Sequence, residues 1–309
     1  MPADQPASGP VPGVVYAGIG DEAGPALADQ VAAVTRLGWD QIELRNIDGV
    51  ALADLSEDAV ARLAGTLDEA GLTMVCADSR IANWAQSING PFREDLAELE
   101  ALIPRCAMLG TRYVRVMSYC NDGLTDAEWG RRAVHRMRLL AERAESAGLV
   151  LLHENCTGWA GTSGERMLAM LDKVGSPALG LMFDTGNGVP YGYEAYEVLT
   201  HIVDHVQHVQ IKDAAGDQES PVYTLPGQGE ARVADCLRLL LDHGFTGTWS
   251  IEPHIAVRPH ENLSDPGEDG VEAFVAYGRE LERLVREEVL PGVEHAGRLA
   301  AGLGPGAPA

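Results

Sequence analysis

Short apolar runs and longer amphipathic segments alternate along most of this chain. The longer segments, such as residues 27–38, 95–110 and 231–244, have apolar residues at helical spacing and a glycine where each helix should end. The short runs are rich in β-branched residues, which is typical of buried strands. Eight such strands are predicted, within residues 13–20, 39–47, 72–79, 113–119, 148–155, 178–187, 205–213 and 247–254.

Eight strands that alternate with helices predict an α/β protein. We expect a single-domain (β/α)₈ TIM barrel over residues 13–290, with an open doubly wound sheet as the alternative. The segment "GIGDEAG" after the first strand lacks the spacing of a dinucleotide-binding loop. Residues 1–12 and 291–309 are rich in Pro, Gly and Ala, so we expect a disordered N-terminal extension and a flexible C-terminal tail.

Composition narrows the range of partners and compartments. The formal net charge of −23 argues against nucleic acid and anionic membranes as partners. The chain has no apolar run long enough to cross a membrane and no basic, apolar leader, so we expect a cytoplasmic protein. Its five cysteines are widely spaced without a CxxC pair, which supports neither a disulfide framework nor a zinc knuckle.

Polar side chains gather at the carboxyl ends of the predicted strands, where TIM barrels carry their active sites. They are Glu43 and Arg45 on the second strand, His153, Glu154 and Asn155 on the fifth, Asp184 and Asn187 on the sixth, Gln210 and Lys212 on the seventh, and Glu252 and His254 on the eighth. Carboxylates that converge on one point repel one another unless a cation lies between them. The pattern therefore predicts a cation site at the barrel mouth.

The types of oxygen ligand indicate which ion this site would bind. Glu154, Asp184 and Glu252, with the amide oxygen of Gln210, form a hard ligand set suited to one Mn²⁺ or Mg²⁺ per chain. No cluster of Cys and His favours zinc. Four protein ligands leave roughly two octahedral positions for the carbonyl and hydroxyl oxygens of a small-molecule sugar or polyol.

The same segments carry a resemblance to a known family. The motifs "GWDQIELRN", "LLHEN", "MFDTGN", "HVQIKDA", "GQGE" and "WSIEPH" resemble those of the xylose isomerase-like TIM-barrel superfamily in order and spacing. Within it the chain is similar to the sugar phosphate isomerase/epimerase group, which includes ketose 3-epimerases, hydroxypyruvate isomerases and inosose dehydratases. The resemblance implies a TIM barrel with a metal site, whereas substrates in this superfamily change with the loops.

The resemblance assigns the family's metal ligands to Glu154, Asp184, Gln210 and Glu252. It implies a divalent-metal-dependent isomerase or epimerase that acts on a keto-sugar or related polyol by proton transfer through a metal-stabilised enediolate. Glu154 and Glu252 would be the catalytic pair, on opposite faces of the substrate carbon. His208, two residues before Gln210 on the same strand face, is expected to be a core histidine.

Two features depart from the ketose 3-epimerases that resemble this chain. Asn187 stands where they have a His, and "NCTGWAG" after Glu154 lacks their second acidic residue. A metal-dependent lyase of the same fold, either a C-glycoside deglycosidase or a cyclitol dehydratase, therefore stays open. So does a non-catalytic barrel subunit, and so does a homo-oligomer or a partner chain. A DNA-repair nuclease is disfavoured, because nine His and a strongly negative charge do not supply its zinc ligands or a basic groove.

Six further side chains are expected to contact the substrate: Glu43, Arg45, Arg115, Asn187, Lys212 and His254. Two of them have structural alternatives of equal weight. Arg115 lies on the interior face of the fourth strand and would otherwise form an ion pair with Glu43. Lys212 would otherwise pair with Asp213 or Glu230.

Overall fold

The computed structural model describes residues 9–259, 263–264 and 269–293. Residues 1–8 and 294–309, which make up most of the two expected extensions, lie outside the described residues. In the described part of the chain, no helix combines the length and the apolar character needed to span a bilayer. All five cysteines are free thiols.

Eight parallel strands form one sheet that closes into a barrel. They are β1 Val15–Gly18, β2 Gln41–Leu44, β3 Thr73–Asp78, β4 Tyr113–Ser118, β5 Val150–Gly158, β6 Leu179–Asp184, β7 Val206–Ile211 and β8 Thr248–Ile251. Neighbours along the chain pair from β2 to β8, and β8 pairs with β1. A parallel bridge between Ile19 and Glu43 then joins β1 to β2. The predicted barrel is confirmed, and the open-sheet alternative is wrong.

In the part of the chain that the structure describes, eight helices of eight or more residues surround the barrel. They are α1 Leu27–Leu37, α2 Glu57–Ala70, α3 Arg93–Leu109, α4 Asp126–Ser146, α5 Gly164–Val174, α6 Ala195–Ile202, α7 Val233–Asp242 and α8 Gly270–Leu284. The glycines predicted to end α1 and α3, Gly38 and Gly110, have φ angles of 72° and 79°. Backbone with positive φ closes a helix at little cost only when no Cβ is present, so the glycine signal has a direct physical basis.

Short elements occupy the loops between strands and helices. A short helix, Gly188–Tyr191, lies between β6 and α6. Single helical turns occur at Gly20–Glu22, Leu52–Asp54, Val203–His205, Val285–Val289 and Leu290–Gly292. Antiparallel hairpins pair Asn46–Ile47 with Val50–Ala51, Asp213–Ala215 with Val222–Thr224, and Val257–Arg258 with Leu263–Ser264. These hairpins follow β2, β7 and β8, so they raise the wall around the carboxyl ends of those strands.

The apolar core has a large part and a small part. The large part packs the helices onto the barrel and includes the stacked rings of Tyr16 and Trp39, whose centroids are 5.2 Å apart. The small part consists of Cys76, Leu152 and Met182, all fully buried. Each of these three residues lies two positions before an acidic residue on the same strand, so it shares that residue's face inside the barrel. A small apolar layer therefore lies inside the barrel, directly beneath the polar side chains of the mouth.

Candidate active site at the barrel mouth

A cavity of about 500 Å³ opens at the carboxyl ends of the strands. That volume lies within the range of small-molecule sites. The predicted site residues that line it are Arg45, Arg115, Glu154, Asn187, Lys212, Glu252 and His254. The others, Glu43, Asp184 and Gln210, are fully buried and do not line it. The tertiary structure therefore brings most of the predicted set to one cavity and buries the rest.

Strand pairing and a tight turn fix the positions of Asp184 and Gln210. The two residues pair across β6 and β7, so their side chains lie at the same level of the barrel interior. The Asp184 amide donates to Asn155 Oδ1 at 2.6 Å. Asp184 Oδ1 accepts hydrogen bonds from the amides of Gly186 and Asn187, at 2.7 and 2.9 Å. One carboxylate oxygen is thus held by the turn, and Oδ2 is left for another partner.

Three of the four predicted metal ligands keep an oxygen atom that is buried and accepts no hydrogen bond. These atoms are Glu154 Oε2, Asp184 Oδ2 and Gln210 Oε1; the first two have ion-pair partners, Arg115 Nε at 3.5 Å and Lys212 Nζ at 3.1 Å. Buried acceptors without a donor are costly, so the cluster is incomplete as a hydrogen-bonded network. Hard oxygen donors of this kind are the ligands that Mg²⁺ and Mn²⁺ prefer. The residues present therefore fit a divalent cation.

Glu43 and His208 form an inner pair beneath this cluster. His208 Nε2 lies 3.0 Å from Glu43 Oε2, and Gln210 Nε2 donates to Glu43 Oε1 at 3.0 Å. Glu43 thus engages the nitrogen of the Gln210 amide, which turns the amide oxygen away from it. Glu43 is an orienting residue in this arrangement and does not reach the cavity where a substrate would be contacted. His208 is a core histidine, as expected from its depth.

Lys212 lies between two of the predicted ligands. Its Nζ is 2.6 Å from Glu252 Oε2 and 3.1 Å from Asp184 Oδ2. It is one of only two lysines in the chain. The expected alternative partners, Asp213 and Glu230, are wrong: Asp213 accepts backbone amides instead, and Glu230 Oε2 accepts one from Gly216.

The position of Lys212 affects the geometry of the metal site. Among the described His, Cys, Asp and Glu residues, two triplets have ligand atoms within 4.8 Å of one another, and neither triplet is the predicted set. The triplets are Glu22, Glu252 and His254, and Glu43, Cys76 and Asp78. In this arrangement an ammonium group occupies the space between Asp184 and Glu252. A divalent cation that takes all four predicted ligands must therefore displace Lys212.

Arg45, just after β2, forms ion pairs with residues that follow β8 and β1. Its guanidinium donates to both oxygens of Asp21, to Glu22 Oε1 at 2.6 Å and to Glu252 Oε1 at 3.1 Å. It is almost fully buried, so these charge-assisted bonds are scarcely screened by water. Arg45 reaches the cavity, and it also fixes the orientation of Glu252.

Arg115 pairs with two carboxyl groups on neighbouring strands. Its Nη1 is 3.5 Å from Asp78 Oδ2, and its Nε is 3.5 Å from Glu154 Oε2. Its Nη2 donates to the Ser79 carbonyl oxygen at 3.2 Å. The expected alternative, an ion pair with Glu43, is wrong, because Asp78 at the end of β3 stands between the two strands and takes that role.

Asn187 and His254 lie beside carboxyl groups at the mouth. Asn187 Nδ2 donates to Glu154 Oε1 at 2.7 Å. His254 lies 3.4 Å from Glu22 and 3.7 Å from Glu252 through its two ring nitrogens, and its ring contacts the edge of Tyr223. Both side chains also line the cavity, so each is placed to touch a ligand while it holds a glutamate.

The three acidic residues among the predicted ligands have shifted pKa values: those of Glu154 and Asp184 are raised, and that of Glu252 is lowered. Burial raises the pKa of Glu154 to about 7, and the nearby charges of Asp184 and Glu252 add to that effect against Arg115. Burial raises the pKa of Asp184 to about 6, against the charge of Lys212. Burial also acts on Glu252, but Lys212 and the other cations around it outweigh burial and hold its pKa well below the usual range.

Several residues of the site were not predicted. Asp21 and Glu22 follow β1, and Asp78 ends β3, so the strand-end criterion that identified Glu154 also covers them. Tyr223 lines the cavity from the hairpin after β7, and Trp84 lines it from the loop after β3. Loop positions of this kind carry no periodic signal, because long-range packing alone brings them to the mouth.

Comparison with known proteins places the chain in a family. The family model described as xylose isomerase-like TIM barrel matches residues 31–278. That match spans most of the barrel, from α1 to α8.

Two curated relatives are epimerase and dehydratase enzymes. The 2-epi-5-epi-valiolone 7-phosphate 2-epimerase of Actinoplanes sp. is 27% identical over 176 residues, which cover 55% of this chain and 62% of that protein. The inosose dehydratase of Clostridium perfringens is 24% identical over 144 residues, which cover 42% of this chain and 48% of that protein. This chain thus matches about half to three-fifths of the length of these relatives.

Solved structures share the fold. A xylose isomerase-like TIM-barrel protein from Mycobacterium smegmatis in complex with magnesium has a TM-score of 0.66 and 18% identity, and the match covers 89% of this chain and 97% of that one. The IolI protein with a bound zinc atom has a TM-score of 0.72 and 17% identity, with 89% and 99% covered. At these identities the similarity establishes the fold alone.

Proposed function

This chain belongs to the xylose isomerase-like TIM-barrel family, which includes epimerases and inosose dehydratases, and from that premise we propose a divalent-metal-dependent isomerase or epimerase. It would move a proton on a keto-sugar or a related polyol. The observation that carries this proposal is the set of buried oxygens on Glu154, Asp184 and Gln210 that accept no hydrogen bond. Two of them have only an ion-pair partner, Arg115 at 3.5 Å and Lys212 at 3.1 Å. A network that serves only the fold would satisfy these acceptors.

Mg²⁺ or Mn²⁺ held by Glu154, Asp184, Gln210 and Glu252 would supply a Lewis acid that neutralises the charge developing on a carbonyl oxygen. The magnesium in the Mycobacterium smegmatis protein supports this choice of ion. The zinc in the IolI protein makes zinc the competing choice. The oxygen-rich ligand set of this chain favours the harder ions.

The proton would pass between substrate and the two glutamates that line the cavity. Glu154 lines the cavity and would remove or return the proton at one face of the substrate carbon. Glu252 stays ionised at neutral pH because of the cations around it, so it acts as an acceptor. Asn187 holds Glu154, and Arg45 holds Glu252, which keeps both carboxyl groups oriented toward the substrate.

A second candidate is dehydration of a cyclitol ketone. The similarity to inosose dehydratases favours it. Elimination of water needs an acid near the leaving hydroxyl group. The Lys212 ammonium group lines the cavity and would be that acid once the metal has displaced it from Asp184 and Glu252. Dehydration and epimerisation share the first proton abstraction, so they differ in what happens after it.

One experiment tests both candidates. The protein is incubated in D₂O with Mn²⁺ or Mg²⁺ and a panel of ketoses, cyclitol ketones and oxidised glycosides, and NMR detects deuterium at the carbon next to the carbonyl. Deuterium with retention of all hydroxyl groups supports the isomerase or epimerase, whereas loss of a hydroxyl group supports the dehydratase. A protein that holds metal but exchanges no proton on any substrate would instead be a non-catalytic barrel subunit.

A further inference from the structure

A groove with several cationic side chains lies on the outer surface of the barrel, between α4 and α5. Its volume of about 630 Å³ lies within the range of small-molecule sites. The charged side chains that line it are Asp126, Arg131, Arg138 and Lys173, and His135 lies between the two arginines along α4. None of these residues lines the cavity at the mouth, so the groove is a separate concavity.

The positive charge of this groove contrasts with the rest of the chain. The sequence has 46 acidic and 23 basic residues, so a charged position is twice as often acidic as basic. Residues 130–138 nevertheless include four Arg and one His, with no Asp or Glu. Arg131, His135 and Arg138 recur at helical spacing and are all exposed, so they lie along one outer face of α4.

Two carboxylates in the first turn of α4 accompany these cations, and both are already paired. Asp126 Oδ1 lies 3.0 Å from Arg166 Nη1. Glu128 Oε1 lies 2.7 Å from both Arg131 Nη2 and Arg132 Nε. Three arginines thus match these two carboxylates, which leaves neither of them to offset the cations farther along the groove.

Arg138 and Lys173 have no carboxylate partner in the part of the chain that the structure describes. Arg138 Nη2 donates to the main-chain oxygen of Lys173 at the end of α5, which uses one of its donors. Lys173 Nζ lies 5.5 Å from the centroid of the Trp159 ring. Like charges in one groove repel each other, and an anion between them would relieve that repulsion.

A buried donor without an acceptor lies beneath these cations. Trp159 directly follows β5 and is 7% exposed, and its Nε1 forms no hydrogen bond. The indole ring packs against Gly130, where a Cβ would clash with it. Both residues line the groove. The dipole of an unpaired indole N–H adds to the positive potential that the cations create.

We propose that the groove between α4 and α5 binds a phosphate oxyanion, either inorganic phosphate or the phosphate group of a small organic ester. Arginine and lysine form charge-assisted hydrogen bonds with phosphate oxygens, and here they approach from two helices. A polyanion such as nucleic acid would also meet the net charge of −23, whereas a small anion meets only the groove. The site is independent of the reaction at the mouth.

The first test measures affinity. Inorganic phosphate and glycerol 3-phosphate are titrated by calorimetry into the Mg²⁺-loaded full chain, with free Mg²⁺ removed and ionic strength held constant with chloride. We expect one site per chain, about tenfold weaker binding in Lys173→Met, and recovery in Lys173→Arg. Arg62→Met is the control, because Arg62 is exposed on α2 and has no ion-pair partner in the described residues. Melting temperatures in chloride verify that each variant is folded.

Two results of this titration overturn the proposal: no binding by the wild type, or binding that persists in Lys173→Met. Equal affinity for the two anions would show that the phosphate group alone is recognised, and tighter binding of glycerol 3-phosphate would identify an organic ester as the ligand. Light scattering is run on the same samples. An oligomer that dissociates in Lys173→Met would assign the groove to an acidic surface of a second copy, which also overturns the small-anion site.

The second test locates the anion. The chain has five tryptophans, so ¹⁵N-indole labelling gives five N–H signals, and the Trp159 signal is the one absent in Trp159→Phe. Inorganic phosphate should shift this signal, whereas chloride at the same ionic strength should not. Trp84 lines the cavity at the mouth and reports on binding there. A phosphate-induced shift of the Trp84 signal without one of Trp159 would place the anion at the mouth and overturn the proposal.

Discussion

At the inner level of the barrel, Glu43 is bonded through both oxygens to His208 and Gln210. At the mouth, Glu154 and Asp184 each keep a buried oxygen that accepts no hydrogen bond and has only an ion-pair partner, at 3.5 and 3.1 Å respectively. All three carboxyl groups are almost completely buried, so water screens none of them. The two levels therefore differ in how many hydrogen-bond donors surround each carboxyl group, and not in burial.

The pKa values follow from that difference. Burial acts to raise the pKa of Glu43, but the charge and hydrogen bond of His208 outweigh it, and the pKa falls to about 2. At the mouth burial prevails, and the pKa values of Glu154 and Asp184 rise to about 7 and about 6. The inner level is complete as folded, and the mouth is completed only by a ligand that brings positive charge or donors.

The largest expected effect comes from removing a proton-transfer group at the mouth. Glu154→Gln or Glu252→Gln should lower the rate of deuterium exchange into substrate by roughly 10²- to 10⁴-fold, the usual contribution of general acid–base catalysis. Exchange is followed by NMR with metal content measured in each variant. Glu165→Gln, at an exposed position in the first turn of α5, is the matched control and should keep wild-type exchange. Wild-type exchange in a fully metallated Glu154 or Glu252 variant would remove that residue from the mechanism.

Metal should stabilise the mouth, and more so at higher pH. Glu154 and Asp184 hold protons in the folded metal-free chain that the unfolded chain has already released, so metal-free stability falls as pH rises from about 4 to about 7. Mn²⁺ at 100 times its Kd should add about 2.7 kcal/mol to the free energy of unfolding. We expect the rise in melting temperature after EDTA treatment and Mn²⁺ addition to be larger at pH 8 than at pH 5. No rise at either pH would contradict the metal site.

Loss of the Glu43 carboxylate should weaken metal binding although none of the four proposed metal ligands is changed. In Glu43→Gln, the Gln210 amide nitrogen loses the carboxylate to which it donates. The amide can then rotate and present its nitrogen, instead of its oxygen, to the metal. Residues that orient a ligand are typically worth roughly 10- to 100-fold in metal affinity. Titration calorimetry with Mn²⁺ measures the change. Glu282→Gln is the control, because Glu282 is equally buried but bonds Trp39 at the opposite end of the barrel. An equal loss in both variants would indicate general destabilisation.

The smallest expected effect comes from Lys212. Lys212→Met removes a cation that competes with the metal for Asp184 and Glu252, so Mn²⁺ should bind about tenfold more tightly. Lys173→Met, at the other lysine, should leave the affinity unchanged. Two lysines also give two signals in ¹³Cε-lysine NMR, and Mg²⁺ should shift the signal that is absent in Lys212→Met. Weaker metal binding in that variant would show that Lys212 supports the metal.

Much of the fold was determined by the sequence alone. The eight strands and their order follow from local periodicity, and Gly38 and Gly110 end helices where the pattern places them. The expectation that Glu154, Asp184, Gln210 and Glu252 share one site follows from the rule that the carboxyl ends of parallel strands meet at one end of a barrel. Two-residue alternation then decides which side chains point inward. These are short-range rules, and they need no knowledge of neighbouring strands.

The tertiary structure alone decided which charge pairs with which. Arg115 bonds Asp78 and Glu154 rather than Glu43, and Lys212 bonds Asp184 and Glu252 rather than Asp213. These choices depend on the stagger between strands and on the length of each side chain, which bring together residues tens to hundreds of positions apart in sequence. Composition supplies the charges, but only the closed barrel sets the distances of a few ångströms over which buried charges select their partners.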